Sequence, residues 1–153
     1  MGVIRAVRQP FDKPDLVYQD SGILKIRDKL TTQERLDVIH KRIWRILLEC
    51  NPAVVAIEQT FCGINSTTTL RLAEARGVIL WTCRSFNTIT YPVSTVRKVV
   101  VGKGNCDKQA VRKAVNVQLS KQKKLIDILD ESDALAVAMC HGYLAVSSNK
   151  INV

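Results

Sequence analysis

Two aspartates and a glutamate stand where acidic side chains could bind a divalent cation. Asp130 and Asp133 are three residues apart at the predicted start of a helix, so their Cβ atoms are expected roughly 5–6 Å apart on one face. Glu58 directly follows the five apolar residues 53–57, which are typical of a buried strand. Carboxylate oxygens are the ligands that Mg²⁺ and Mn²⁺ prefer, and such ions catalyse phosphodiester hydrolysis. The three acids therefore suggest a metal-dependent nuclease.

Each of these acids also has an ordinary structural explanation. Aspartate is favoured in the first turn of a helix and as its N-cap, because that end of the helix dipole is positive. A glutamate after a buried strand can simply mark the point at which the chain returns to water. The residue types and spacing leave both explanations open for Glu58, Asp130 and Asp133.

The positive charge of the chain is concentrated in one segment. The 153 residues include 23 Lys and Arg against 14 Asp and Glu, which gives a net charge of +9. Between residues 84 and 124 a single acid, Asp107, accompanies ten basic residues: Arg84, Arg97, Lys98, Lys103, Lys108, Arg112, Lys113, Lys121, Lys123 and Lys124. Charge gathered in this way favours binding to a polyanion such as nucleic acid, although solvated helix faces are the simpler alternative.

The hydrophobic pattern predicts a single-domain α/β fold with a mixed sheet between helices. Strands are expected over residues 2–8, 21–27, 53–57 and 87–91, and helices over residues 31–50, 66–79, 94–101, 107–119 and 130–144. The first helix opens with capping-box spacing between Thr31 and Glu34, and Asn105 is the predicted cap of the fourth helix. The last helix is apolar nearly all round, so we expect it to pack against the sheet and to carry both aspartates towards Glu58.

The composition argues against several classes of protein. The five cysteines are odd in number and never have Cys-x-x-Cys spacing, which argues against a disulfide framework and a thiolate zinc site. The longest apolar stretches are far too short to span a membrane, and the chain does not open with a secretory signal pattern. We therefore expect a cytoplasmic protein.

Several motifs resemble the RuvC family of Holliday-junction resolvases. They are residues 56–61 (AIEQTF), residues 72–78 (LAEARGV), a Tyr-Pro pair followed by residues 96–104 (VRKVVVGKG), and residues 130–138 (DESDALAVA). The motifs occur in one consistent order, and the similarity extends from Gly2 to about His141. The resemblance implies a Mg²⁺-dependent endonuclease with a ribonuclease H-like fold, which makes paired nicks in four-way DNA junctions during recombination and repair.

The resemblance also assigns roles to individual residues. Glu58, Asp130 and Asp133 match three of the family's four metal-binding catalytic acids; they would bind Mg²⁺, with Mn²⁺ as an alternative and two ions per active site. Phe61 matches an aromatic residue that inserts near the junction centre. Arg97 and Lys108 match basic family positions that contact DNA near the scissile phosphate. With Phe61, the predicted DNA-binding set consists of these basic residues: Arg97, Lys98, Lys103, Lys108 and Arg112.

Partners follow from the same resemblance. The helix over residues 66–79 matches the helix through which the family forms homodimers. Its small residues Ala73, Ala75 and Gly77 would allow a second helix to approach closely. Four-way junction DNA is the expected substrate, and a branch-migration helicase is a further candidate partner.

The sequence departs from the family pattern at the first strand. The family begins with a strand that ends in an Asp-Pro-Gly type motif, whose Asp is the fourth metal ligand. Residues 1–4 align with the strand that follows it. We therefore expect a resolvase domain over residues 1–145 that lacks this first strand, followed by a tail over residues 146–153. The alternative function is a catalytically impaired junction-binding module, which would keep the basic segment and Phe61 without a complete metal site.

Phe61 provides a test of the junction-binding hypothesis. Phe61→Ala is expected to slow junction cleavage at least several-fold, because stacking of an aromatic ring on a base contributes roughly 1–3 kcal/mol. The melting temperature and metal binding should change little. A large fall in the melting temperature, with normal cleavage by the folded fraction, would identify Phe61 as a packing residue.

Overall fold

The computed structural model describes residues 1–7, 14–59 and 66–148. The elements follow in the order β1 (Gly2–Val7), β2 (Asp15–Ser21), α1 (Thr32–Cys50), β3 (Val55–Gln59), α2 (Ser66–Thr82), β4 (Thr88–Pro92), α3 (Val93–Val101), α4 (Lys108–Leu119) and α5 (Leu129–Ser148). The described strands form two sheets, β1 with β2 and β3 with β4. The chain divides into two compact units, one of Met1–Ile23 with Tyr91–Val153 and one of Leu24–Thr90.

The first unit opens with an antiparallel hairpin of β1 and β2, in which Gly2 lies opposite Ser21. The other edge of β2 is covered by the side-chain amide of Gln122. This amide accepts a hydrogen bond from the Tyr18 main-chain N–H at 2.7 Å and donates to the carbonyl of Leu16 at 2.9 Å. The side chain thereby satisfies edge groups that would otherwise need water or another strand.

Helix α5 is the centre of the first unit. It packs against β1, α3 and α4. Its residues Leu135, Ala136, Met139 and Cys140 are completely buried. Burial of a side chain as large as Leu or Met contributes roughly 1.5–3 kcal/mol, so these contacts fix the helix firmly. The facing helices α3 and α4 contribute five buried residues: Val96, Val100, Val111, Val115 and Leu119.

The second unit contains α1, α2, β3 and β4 as far as Thr90. The predicted capping box of α1 is confirmed: the Thr31 hydroxyl accepts a hydrogen bond from the Glu34 amide at 3.3 Å, and the Glu34 carboxylate accepts one from the Thr31 amide at 2.8 Å. Where α1 packs against α2, the buried Thr82 hydroxyl donates to the carbonyl of Val78. Because that hydroxyl has one proton, His40 must donate to it from Nδ1 across 2.9 Å.

The predicted position of the second strand is wrong. Residues 21–27 were the expected strand from a weak apolar–polar alternation, whereas the strand covers Asp15–Ser21. Within it Leu16 is buried, while Ile23 and Leu24 in the expected segment are exposed. The strand forms where residues both pair with β1 and become buried. A short alternation of apolar and polar residues does not predict which residues pair.

The predicted cap of the fourth helix is also wrong. Asp107 rather than Asn105 is the N-cap of α4, and its carboxylate accepts a hydrogen bond from the Ala110 amide at 2.7 Å. Both residue types cap helices well, so residue type alone does not distinguish them. As a result α4 begins at Lys108, which places this lysine in the first turn.

Several element ends differ from the sequence prediction. The strand expected over residues 53–57 covers Val55–Gln59, and its residues are half-buried or exposed rather than covered on both faces. Helix α2 continues to Thr82. Helix α5 continues to Ser148, past residue 145, and the division into a domain and a tail stays a prediction. Among the described residues, no helix combines the length and the hydrophobicity that a membrane span requires.

The close contact between β1 and α5 generates a stability prediction. A Cβ atom built on Gly2 would lie 2.8 Å from the Cα of Leu135, whereas one built on Gly22 meets nothing within 4 Å. Gly2→Ala should therefore force β1 away from α5 and lower the free energy of unfolding by about 1–3 kcal/mol. Urea denaturation measures this, with Gly22→Ala as the matched control. Equal stability of the two variants would show that this contact is not tightly packed.

Candidate functional site

Asp130 lies in the first turn of α5, which begins at Leu129, and Asp133 follows three residues later on the same helix, close to the position that the sequence predicts. The turn is held by Ser132, which is buried and donates its hydroxyl to the carbonyl of Leu129 at 2.7 Å. The Ser132 amide donates to the carbonyl of Ile128 at 3.0 Å. The side chain of Asp133 is 23% exposed and that of Asp130 is 74% exposed. Asp133 therefore lies at the edge of the core, and the side chain of Asp130 lies on the surface.

Helix α4 is tied to the segment that leads into α5. The Arg112 guanidinium donates from Nη1 to the carbonyl of Asp127 at 2.8 Å. Asn116 donates from Nδ2 to the carbonyl of Ile126 at 2.9 Å and accepts from the Ile126 amide at 2.8 Å. Ile126 is itself buried. Each such hydrogen bond contributes about 0.5–1.5 kcal/mol, and together they fix the start of α5 relative to α4.

This arrangement places Lys108 between the two aspartates. Its Nζ lies 2.9 Å from Asp130 Oδ1 and 3.0 Å from Asp133 Oδ2. The hydrogen bonds to Asp130 and to Asp133 raise the pKa of Lys108 above its ordinary value. Two carboxylates that would otherwise repel each other thus share one positive charge. Both side chains can therefore direct an oxygen at a single cation.

The donor set fits a divalent metal ion in part. Mg²⁺ is usually bound through one or two protein carboxylates together with water and substrate oxygens, and Asp130 and Asp133 converge on one positive charge. Within residues 1–7, 14–59 and 66–148, no group of three or more His, Cys, Asp or Glu side chains that could hold a metal occurs. The pairing of the two aspartates is observed, whereas the site of three acids stays a prediction.

Glu58 lies in the second unit, one residue before the end of β3. It is half-buried, and its main-chain carbonyl accepts a hydrogen bond from Arg76 Nη1 at 2.7 Å. Its place near the carboxyl end of a strand agrees with the sequence prediction. Its role as a metal ligand stays a prediction.

The predicted basic DNA-binding residues lie on α3, on α4 and in the turn between them. Lys98 and Lys103 are exposed, and Arg97 is half-buried. Arg112 is half-buried and bound to a main-chain carbonyl, so its described contact is structural. Phe61 lies outside the described residues. The contacts of this set with DNA therefore stay predictions.

An apolar stripe is exposed along α2. Leu70 and Trp81 at its two ends are 61% and 56% exposed, although both are large apolar residues. The Arg84 guanidinium lies 4.2 Å from the centre of the Trp81 ring. Ala75 is half-buried and lies off the stripe. An exposed apolar surface of this kind is typical of a protein–protein contact, and its members recur at helical spacing: Leu70, Ala73, Gly77, Leu80 and Trp81.

Three residues make positioning contacts that spacing along the sequence does not predict. Asn116 and Arg76 bind main-chain atoms of segments 10 and 18 residues away, and His141 lies 2.8 Å from the Tyr91 hydroxyl through Nδ1. Burial lowers the pKa of His141 below its ordinary value. Each contact depends on tertiary structure, so no local spacing rule finds it.

Comparison with known proteins identifies the family. The family model of crossover junction endodeoxyribonuclease RuvC matches residues 2–141. The chain belongs to the RuvC family. A RuvC protein of Rickettsia akari is 36% identical over 129 residues, which cover 82% of this chain and 82% of the relative. A RuvC protein of Nitrobacter hamburgensis is 34% identical over 130 residues, which cover 84% of this chain and 75% of the relative.

Two solved structures share the fold. They are Thermus thermophilus RuvC alone and the same protein in complex with a Holliday junction substrate. Each matches with a TM-score of 0.79 and 23% sequence identity, over 96% of this chain and 88% of the solved chain. These findings confirm the RuvC resemblance and the ribonuclease H-like α/β fold class that the sequence predicts.

The position of Lys108 yields a prediction for the metal-free protein. Lys108→Gln removes the positive charge between Asp130 and Asp133, so the free energy of unfolding should fall. The loss should be at most about 1 kcal/mol, because Lys108 is half exposed, and should shrink as salt screens the repulsion between the acids. Urea denaturation at low and high salt measures it, with the exposed Lys113→Gln on the same helix as control. A loss of the same size in both variants would show that the pairing does not stabilise the fold.

Proposed function

We propose that this protein is a structure-selective, Mg²⁺-dependent endodeoxyribonuclease that resolves Holliday junctions by paired nicks. The observation that carries the proposal is that Asp130 and Asp133, near the start of a buried helix, both direct an oxygen at the ammonium group of Lys108. Membership in the RuvC family supports the same activity. A relative from Thermus thermophilus has been solved with a Holliday junction substrate, which supports four-way junction DNA as the substrate class.

In the proposed active site, Asp130, Asp133 and Glu58 would bind the metal. Mg²⁺, with Mn²⁺ as an alternative and two ions per site, would activate the attacking water and offset charge on the scissile phosphate. The core around α5 holds the backbone of the two aspartates in place, which limits the rearrangement that metal binding would need. Lys108 is available beside them to offset negative charge that develops on the phosphate.

The proposed DNA surface is the basic segment of α3, α4 and the turn between them. Lys98 and Lys103 are exposed there, and exposed ammonium groups bind phosphates as point charges. Arg97 is proposed to contact DNA near the scissile phosphate, and Phe61 to stack at the junction centre. The contacts of the basic residues would position the DNA backbone without reading the base sequence.

The proposed assembly is a homodimer formed through α2. The exposure of Leu70 and Trp81 supports this, because a second copy would remove both side chains from water. A Cβ atom built on Gly77 meets nothing within 4 Å, so a partner helix has room to approach the main chain. A symmetric dimer also suits paired nicks, since it presents two equivalent active sites.

The remaining sequence predictions about function stay open to test. Within the described residues, no contact favours the alternative of an impaired junction-binding module over the nuclease. A branch-migration helicase stays a predicted partner, and a cytoplasmic location stays a prediction that agrees with the proposed DNA substrate.

Asp133→Asn tests the proposed nuclease. The change keeps the size of the side chain but removes the charge that a cation requires, so junction cleavage should be abolished while junction binding stays within a few-fold. Nicking of a synthetic four-way junction in Mg²⁺ and a gel-shift titration measure the two effects. Asp127→Asn is the matched control, because this exposed acid precedes α5 and lies outside the Lys108 pair. Unchanged nicking by Asp133→Asn would contradict the proposal.

A further inference from the structure

Arg76 joins α2 to both strands of the second unit. Its Nη1 donates to the main-chain carbonyl oxygen of Glu58 at 2.7 Å, and its Nη2 donates to the hydroxyl oxygen of Thr90 at 3.4 Å. Glu58 lies on β3 and Thr90 on β4. One guanidinium therefore bridges two neighbouring strands, which its planar fork of donors suits well.

The shorter of these bonds acts on the main chain at a candidate metal ligand. A carbonyl oxygen lies in the rigid peptide plane that begins at its own Cα. Holding the carbonyl of Glu58 therefore restrains its Cα and the direction in which its side chain leaves the strand. The bond is also strong, because its donor carries a charge. Glu58 lies one residue before the end of β3, where the hydrogen bonds between strands stop.

The other arginines near this helix have different surroundings. Arg71 is exposed on α2. Arg84 is exposed beyond the helix end, where it stacks on Trp81 and donates to the Trp81 carbonyl at 3.0 Å. Arg76 is half-buried, and its described bonds reach the strands. Arg71 is therefore a matched control of the same residue type on the same helix.

We propose that Arg76 is a positioning residue for Glu58, which it holds through the main-chain carbonyl in the orientation that binds a divalent cation. This proposal rests on the proposed function, because it takes Glu58 as a metal ligand. Arg76 itself acts through Glu58 and not on the DNA or the metal. Its replacement should therefore weaken metal binding only while Glu58 is present, which a general loss of packing would not do.

Binding of Mn²⁺ to the full chain, followed through the electron paramagnetic resonance signal of the free ion, tests this without relying on cleavage. Arg76→Gln should weaken Mn²⁺ binding by about 10-fold, the usual effect of losing a residue that orients a ligand. Arg76→Lys keeps the positive charge but loses the two parallel donors of the guanidinium, so the Mn²⁺ affinity of this variant should be intermediate. Arg71→Gln should bind Mn²⁺ as the unchanged protein does.

The deciding comparison repeats these changes in a Glu58→Gln background. The proposal expects Arg76→Gln to leave the remaining Mn²⁺ affinity nearly unchanged there. Equal weakening in both backgrounds, or no weakening in either, would overturn it. If Arg76→Gln does not fold by circular dichroism, Arg76→Lys is judged by the same comparison.

Failure of the proposed function gives a different result. In that case Glu58→Gln alone would bind Mn²⁺ as tightly as the unchanged protein, which would remove Glu58 from the metal site and overturn this inference with it. Weaker binding by Glu58→Gln, together with equal weakening by Arg76→Gln in both backgrounds, would overturn the role of Arg76 alone.

Discussion

Asp130 and Asp133 carry like charges near the start of α5, and the packing of α5 fixes the direction in which this end of the helix faces. Helix α5 is held on several sides, with Leu135 and Met139 completely buried, so rotation of its first turn would cost core contacts. Lys108 offsets part of the repulsion between the two carboxylates, with its Nζ at 2.9 Å from Asp130 and 3.0 Å from Asp133. A divalent ion bound by the same carboxylates would relieve the same repulsion. In the proposed active site, the part of the fold that positions Lys108 would therefore also position the two aspartate ligands of the metal.

Both units position acidic residues by binding side chains to main-chain atoms. Asn116 holds the amide and carbonyl of Ile126 just before α5, and Arg76 holds the carbonyl of Glu58 near the end of β3. These bonds restrain the backbone on which the acids stand. They also satisfy main-chain groups at the ends of elements, where regular hydrogen bonding stops.

Local rules predicted those parts of the structure that depend on neighbouring residues. The Thr31–Glu34 capping box and the position of Asp130 and Asp133 on one face near the start of α5 follow from spacing alone. The second strand and the ties made by Asn116 and Arg76 depend on segments that meet only in the folded chain. The Asp107 cap escaped prediction because Asn105 offers a residue type that caps equally well. The contribution of Glu58 to a metal site likewise depends on segments that meet only in the folded chain, so it stays a prediction.

Anomalous diffraction from crystals of the full chain grown with Mn²⁺ would measure the central claim directly. The claim is that the carboxylates of Asp130 and Asp133 form one cation site. It predicts an anomalous peak about 2.1 Å from an oxygen of at least one of the two aspartates, on the side that Lys108 now faces. An ordered first turn of α5 with no anomalous peak beside either aspartate at saturating Mn²⁺ would contradict it.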